Sequence, residues 1–142
     1  MKNFKPFKWI FPKKQEKITT MKNLKEFKEL IERYETVTIE EVREQWKITK
    51  KDERRIGSVP HYTAQKLTGF GGSITCTLCL AIEQKCEQCV LSINSTDDSY
   101  HCLNFHHRPT YDGINFSKSP AGLLTALRNR AKHYREFYKE IL

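Results

Sequence analysis

Cys76-Thr77-Leu78-Cys79, six residues, then Cys86-Glu87-Gln88-Cys89: this stretch decides how the rest of the chain is read. Each Cys-x-x-Cys pair can put two thiolates on one side of a tight turn. Two such turns facing each other predict a tetrahedral four-cysteine cage, with Zn–S near 2.3 Å. Thiolate suits the task because it is soft and charged. Four thiolates saturate zinc and leave no position for water, so the predicted zinc is structural and not catalytic. β-Branched residues at 73–77 and 90–93 predict a short strand on either side. Redox-active thiols, inert buried cysteines and an iron–sulfur cluster are the competing readings of the same four residues. Cys102, the fifth cysteine, is either a further ligand or a small buried hydrophobe. His101, His106 and His107 are further possible ligands.

The chain has 142 residues, 38% hydrophobic and 30% charged, so it builds one modest core that a metal staple would help. No apolar run reaches the length of a membrane span. The start lacks the features of a secretory signal, and an odd number of cysteines argues against a secreted disulfide scaffold. Thiolates in a reducing cytoplasm fit better.

The net charge of +8 is uneven. Residues 1–25 carry eight lysines against one acid, Glu16, which is a net +7. Residues 1–20 thus read as a basic, disordered arm on a near-neutral body, residues 21–142, which forms a single zinc-stabilised domain. Within the arm, Lys5, Lys8, Lys13 and Lys14 alternate with Trp9 and three phenylalanines, a pattern suited to phosphate or an anionic membrane surface. Met21 opens MKNLKEFK, which echoes MKNFKPFK at the start and makes Met21 an alternative initiator.

Helical spacing over 22–34 and a Thr38/Glu41 capping box predict two packing helices, the second over 39–46, with a polar loop over 47–55. Pro60 predicts a short helix that Gly69 closes. Gly69-Phe70-Gly71-Gly72 lacks the lysine of a phosphate loop and reads as a hinge into the first cysteine turn. Ser119-Pro120 opens the strongest helix. Leu123, Leu124, Leu127, Ala131, Tyr134, Tyr138 and Ile141 mark its buried face. Arg128, Lys132, Arg135 and Lys139 share one stripe that would contact phosphates, with Glu136 and Glu140 beside it. The expected fold is α+β: a mainly helical small domain with a zinc-stapled β-hairpin region and a long C-terminal helix.

His106-His107-Arg108-Pro109, followed by Gly113 and Asn115, loosely resembles the centre of HNH nucleases. That resemblance implies His107 as general base and Asn115 as the residue positioning water. It departs from the family pattern where His106 stands in place of an acid, and the cysteine pairs do not bracket the histidine. More broadly, residues 60–135 resemble small phage-encoded cysteine-rich proteins: Leu67-Thr68-Gly69-Phe70-Gly71, two Cys-x-x-Cys pairs, a lone cysteine, and a helix with Arg128-Asn129-Arg130-Ala131. The resemblance implies an accessory protein in the host cytoplasm. The expected function is a zinc-binding, non-enzymatic protein with an anionic partner, nucleic acid or a nucleotide. A module that inhibits a host protein and an HNH-like nuclease are the alternatives.

Overall fold

The computed structural model describes residues 21–55, 57–72, 75–93 and 107–142. Among these residues there are six α-helices: α1 (Leu24–Thr36), α2 (Ile39–Lys51), α3 (Val59–Thr68), α4 (Thr77–Ala81), α5 (Arg108–Asn115) and α6 (Pro120–Phe137). Two 3-10 turns, Cys86–Gln88 and Val90–Ser92, follow α4. The α6 helix packs against α1, α2 and α5, and α2 lies along α3. The periodic apolar residues explain this. Phe27, Leu30, Ile31 and Tyr34 of α1 are buried against Leu123, Leu127, Ala131 and Tyr134 of α6. The ring of Phe27 lies 5.1 Å from that of Tyr134 and 5.2 Å from that of Tyr138. Such tilted and edge-on aromatic pairs add to the stabilisation from buried area.

The helix ends follow local chemistry. Ser119 caps α6 by accepting from the Gly122 N–H at 3.0 Å, and Ser58 caps α3 through the His61 N–H. Gly69 closes α3 with φ 91°, in the left-handed region that favours glycine. A Cβ at Gly69 would also collide with the Thr77 hydroxyl, so the close passage of α3 past α4 requires glycine there. The α2 helix runs to Lys51, through part of the segment expected to be a loop.

Thr38 and Glu41 form the expected capping box. Glu41 also accepts from Arg33 at 2.8 Å, while Arg33 Nε donates to the Leu67 carbonyl at 2.8 Å. One side chain thereby ties α1, α2 and α3. The Arg33 guanidinium first, and the Thr38 backbone N–H second, bring the Glu41 carboxyl down to about 2. A depressed carboxyl stabilises the fold above its unfolded value and stops doing so as pH falls through the folded one. The Glu41 contribution is therefore expected to persist at pH 5 and to vanish as pH approaches 2. Thr38→Ala should cost about 1 kcal/mol in urea unfolding at neutral pH.

The expected β-hairpin is corrected by the structure: among the described residues there is no strand, and the fold is helical. Ser73 and Ile74 lie outside the described residues. Local bonds take the place of a ladder. Thr75 Oγ1 accepts from the Gly72 N–H, and Thr77 Oγ1 donates to the Gly69 carbonyl. The N–H groups of Cys89, Ser92 and Ile93 reach carbonyls three residues back. Segments this short close turns on themselves when no second strand lies alongside.

Candidate functional site

The four cysteines do not converge. Among the described residues no group of three or more His, Cys, Asp or Glu side chains is placed to hold a metal ion. This overturns the predicted zinc, the four-cysteine cage and the zinc-binding function built on it. The reason lies in the six-residue gap. It continues α4 into a left-handed turn, with Glu83 at φ 53° and Gln84 at φ 65°, and the Gln84 N–H bonds back to the Cys79 carbonyl at 2.8 Å. This turn leaves Cys86 exposed, its Sγ 3.8 Å from the Gln84 carbonyl. Cys89 is buried and accepts from Asn23 Nδ2 at 3.3 Å. Cys102 lies outside the described residues.

What remains is a pair. Cys76 is the N-cap of α4 and Cys79 sits one turn on, each 8% exposed. The Cys79 S–H donates to the Cys76 sulfur, and this is the largest influence on it. Cys76 makes no regular capping bond, but the N–H groups of Leu78 and Cys79 act on its sulfur in the same sense. Together they outweigh burial, which favours the neutral thiol, and bring Cys76 down to about 6.

Arg130 adds a smaller attraction in the same sense. It is 5% exposed, and its Nη1 donates to Thr110 Oγ1 at 2.7 Å. Its guanidinium lies 4.8 Å from the Tyr134 ring centroid and 5.3 Å from that of Phe70. No carboxylate pairs with it among the described residues, and its Nε has no hydrogen-bond partner there. A buried cation needs a compensating charge. Tyr134, Tyr34 and Cys76 are the groups that offset the burial of Arg130. Burial pushes both phenols up, Tyr34 and Tyr134 alike, so neither ionises near neutral pH. Among these three groups only Cys76 is lowered into the neutral range, so its thiolate adds to what offsets Arg130.

The residues singled out for other roles are engaged elsewhere. His107 is fully buried. The Tyr138 hydroxyl donates to the Leu91 carbonyl at 3.1 Å and lies 2.8 Å from His107 Nε2, and the two rings stack. A nuclease base must reach water, and this ring is packed away from it. Asn115 pairs with His61 instead. On α6, Arg128 donates to the carbonyls of Tyr34 and Val37 at 2.6 and 2.7 Å, holding the end of α1. Arg135 makes two 2.7 Å bonds to Glu35, and Lys139 lies 3.6 Å from Glu136. Lys132 is exposed, and the Lys139 and Arg135 side chains remain 69% and 50% exposed beside their acidic partners. Lys5, Lys8, Trp9, Lys13 and Lys14 lie outside the described residues, as do His101 and His106. No helix among the described residues is long and apolar enough to cross a membrane.

Comparison with known proteins gives no relative: no family model, no curated protein and no solved structure matches the chain.

Three residues that shape these sites carried no role in the sequence reading. Arg130 had a readable signal, since it falls beside Leu127, Ala131 and Tyr134 on the apolar face of its helix, where a cation is out of place. Asn23 and His61 had none beyond standing at the ends of helical segments.

Proposed function

We propose that the protein is a dithiol–disulfide exchange module in which Cys76 is the attacking thiol and Cys79 the resolving one. The observation that carries this is the placement of Cys76 as N-cap of α4 with Cys79 one turn on, both buried, where Cys79 is the largest influence lowering Cys76. The exchange balances without a metal. The Cys76 thiolate attacks one sulfur of a partner disulfide, forming a mixed disulfide and expelling one thiolate. Cys79 releases its proton and its sulfur attacks Cys76 Sγ, closing the Cys76–Cys79 bond and expelling the second thiolate. Counted from the dithiol, the pair loses two electrons and two protons, and the two expelled thiolates take up two protons from solvent, so the partner disulfide becomes two thiols. Run in reverse, the closed pair oxidises a partner dithiol. The direction follows from the two reduction potentials. A reducing cytoplasm, which would keep the pair as thiols at rest, belongs to the same proposal.

The test uses the sequence itself. Cleavage after Lys66 and Lys85 places Cys76 and Cys79 on one peptide, without the other three cysteines. In glutathione buffers of rising oxidation, this peptide is expected to lose two hydrogens at a defined midpoint, while Cys89, covered by Asn23, stays a thiol. A peptide that keeps both thiols while exposed Cys86 takes up glutathione would refute the proposal.

A further inference from the structure

A second site lies apart from the thiols, where the start of α3 meets the end of α5. There an open cavity of about 450 Å³ is lined by both helices and by Gly72 and Thr75. Its size is that of a small-molecule pocket. Three aromatic side chains line it, Tyr62, Tyr111 and Phe116, and Phe116 is 73% exposed. Its polar groups are the side chains of Ser58, His61, Gln65, Thr75 and Asn115 together with the tyrosine hydroxyls. Among the described residues no Asp, Glu, Lys or Arg lines it, which suits a ligand whose buried part carries no full charge.

The walls are held in place. Tyr111 packs 5.0 Å from Phe70, and the Arg130 guanidinium lies 5.8 Å from its ring. His61 stands edge-on to Phe70 at 5.1 Å. His61 Nδ1 lies 2.6 Å from Asn115 Oδ1. An amide oxygen only accepts, so His61 Nδ1 is the donor of this bond. The Ser58 hydroxyl donates to the Asn115 carbonyl at 3.2 Å, which fixes the end of α5 against the start of α3.

We infer that this cavity takes a single nucleobase. Flat aromatic walls match its two faces, and the amides of Gln65 and Asn115 with the imidazole of His61 match its hydrogen-bonding edge. Stacking on tyrosine and phenylalanine with one or two edge bonds is how proteins hold an unpaired base. The base can come from a free nucleoside or from a single strand that turns one base out. Lys66, 5.1 Å from the Tyr62 ring centroid, places one cation near the cavity for an attached phosphate.

The experiment is calorimetric titration of the full chain with the four ribonucleosides, with their monophosphates, with an eight-nucleotide single strand, and with phenol as an aromatic lacking a base edge. At least one nucleoside is expected to bind more tightly than phenol. Phe116→Ala and Gln65→Ala should each weaken it about tenfold, the scale of one lost stacking or edge contact. Phe116 is exposed and Gln65 only half-buried, so neither change threatens the fold. Tighter binding of the strand than of the nucleoside would assign the base to nucleic acid, and equal binding would assign it to the free nucleoside. Phenol binding as well as every nucleoside, no binding of any nucleoside or strand, or affinity unchanged in both variants would overturn the inference.

Discussion

Cys79→Ala is expected to move the pH midpoint of Cys76 alkylation from near 6 toward the ordinary thiol value of about 8.5. The Cys79 S–H is the largest of the influences that hold Cys76 down, and alanine removes it outright. Cys79→Ser keeps a donor and should give an intermediate midpoint. A pair that serves packing alone would show an ordinary midpoint in the parent and no ordering among the variants. The rate is read on the peptide between Lys66 and Lys85, so exposed Cys86 does not contribute. The linked effect on stability has a definite sign. The folded value lies below the unfolded one, so the contribution of this thiolate is complete above about 8.5 and is lost as pH falls through about 6. Stability tied to Cys76 should therefore rise across that window in the parent and stay flat in Cys76→Ser. An unchanged alkylation midpoint in Cys79→Ala would remove the basis for an activated Cys76.

Asn23→Ala is expected to destabilise the fold by about 3 kcal/mol, well beyond the loss of the Thr38 cap. Asn23 is fully buried at the start of α1. Its Nδ2 donates to the Leu78 carbonyl at 3.1 Å and to Cys89 Sγ, and its Oδ1 accepts from the Val90 N–H at 2.8 Å. Alanine leaves a buried N–H and a buried carbonyl without these partners, each worth about 1–3 kcal/mol. The melting temperature should fall by roughly 10 °C in a chain of this size. Because Leu78 lies between the paired cysteines, the same change should loosen α4 and broaden the alkylation profile of Cys76. A variant that melts within a degree or two of the parent would show that α4 is held by its apolar contacts alone.

The helical part of this fold was legible in the sequence because its signals are local. The apolar spacing of Phe27, Leu30, Ile31 and Tyr34, the Thr38/Glu41 box, Gly69 and Ser119-Pro120 each act within a turn or two of chain. The α5 helix was hidden because the residues from His106 to Asn115 were read for their likeness to a nuclease centre. The cysteine stretch misled for a physical reason. Spacing shows that four thiols can meet, but not whether the six residues between the pairs turn them together. Here Glu83 and Gln84 adopt left-handed backbone, and an asparagine more than sixty positions earlier in the chain occupies Cys89. The partners of the basic stripe were hidden for a similar reason. Its helical spacing was visible, but the carbonyls of Tyr34 and Val37 and the carboxylate of Glu35 that engage Arg128 and Arg135 come from the far end of α1. Both are long-range matters that no local pattern records. The His61–Asn115 contact, which joins residues 54 positions apart, is another.

The most direct test of the thiol account is to trap the intermediate. Protein carrying Cys79→Ser, incubated with oxidised glutathione at pH 7, should accumulate one glutathione on Cys76, because the resolving sulfur is gone. The parent should instead accumulate the Cys76–Cys79 bond, and Cys76→Ser should form neither product on that peptide. A Cys79→Ser protein whose Cys76 remains unmodified, or a parent in which glutathione stays on Cys76 unresolved, would contradict an exchange that begins at Cys76 and is completed by Cys79.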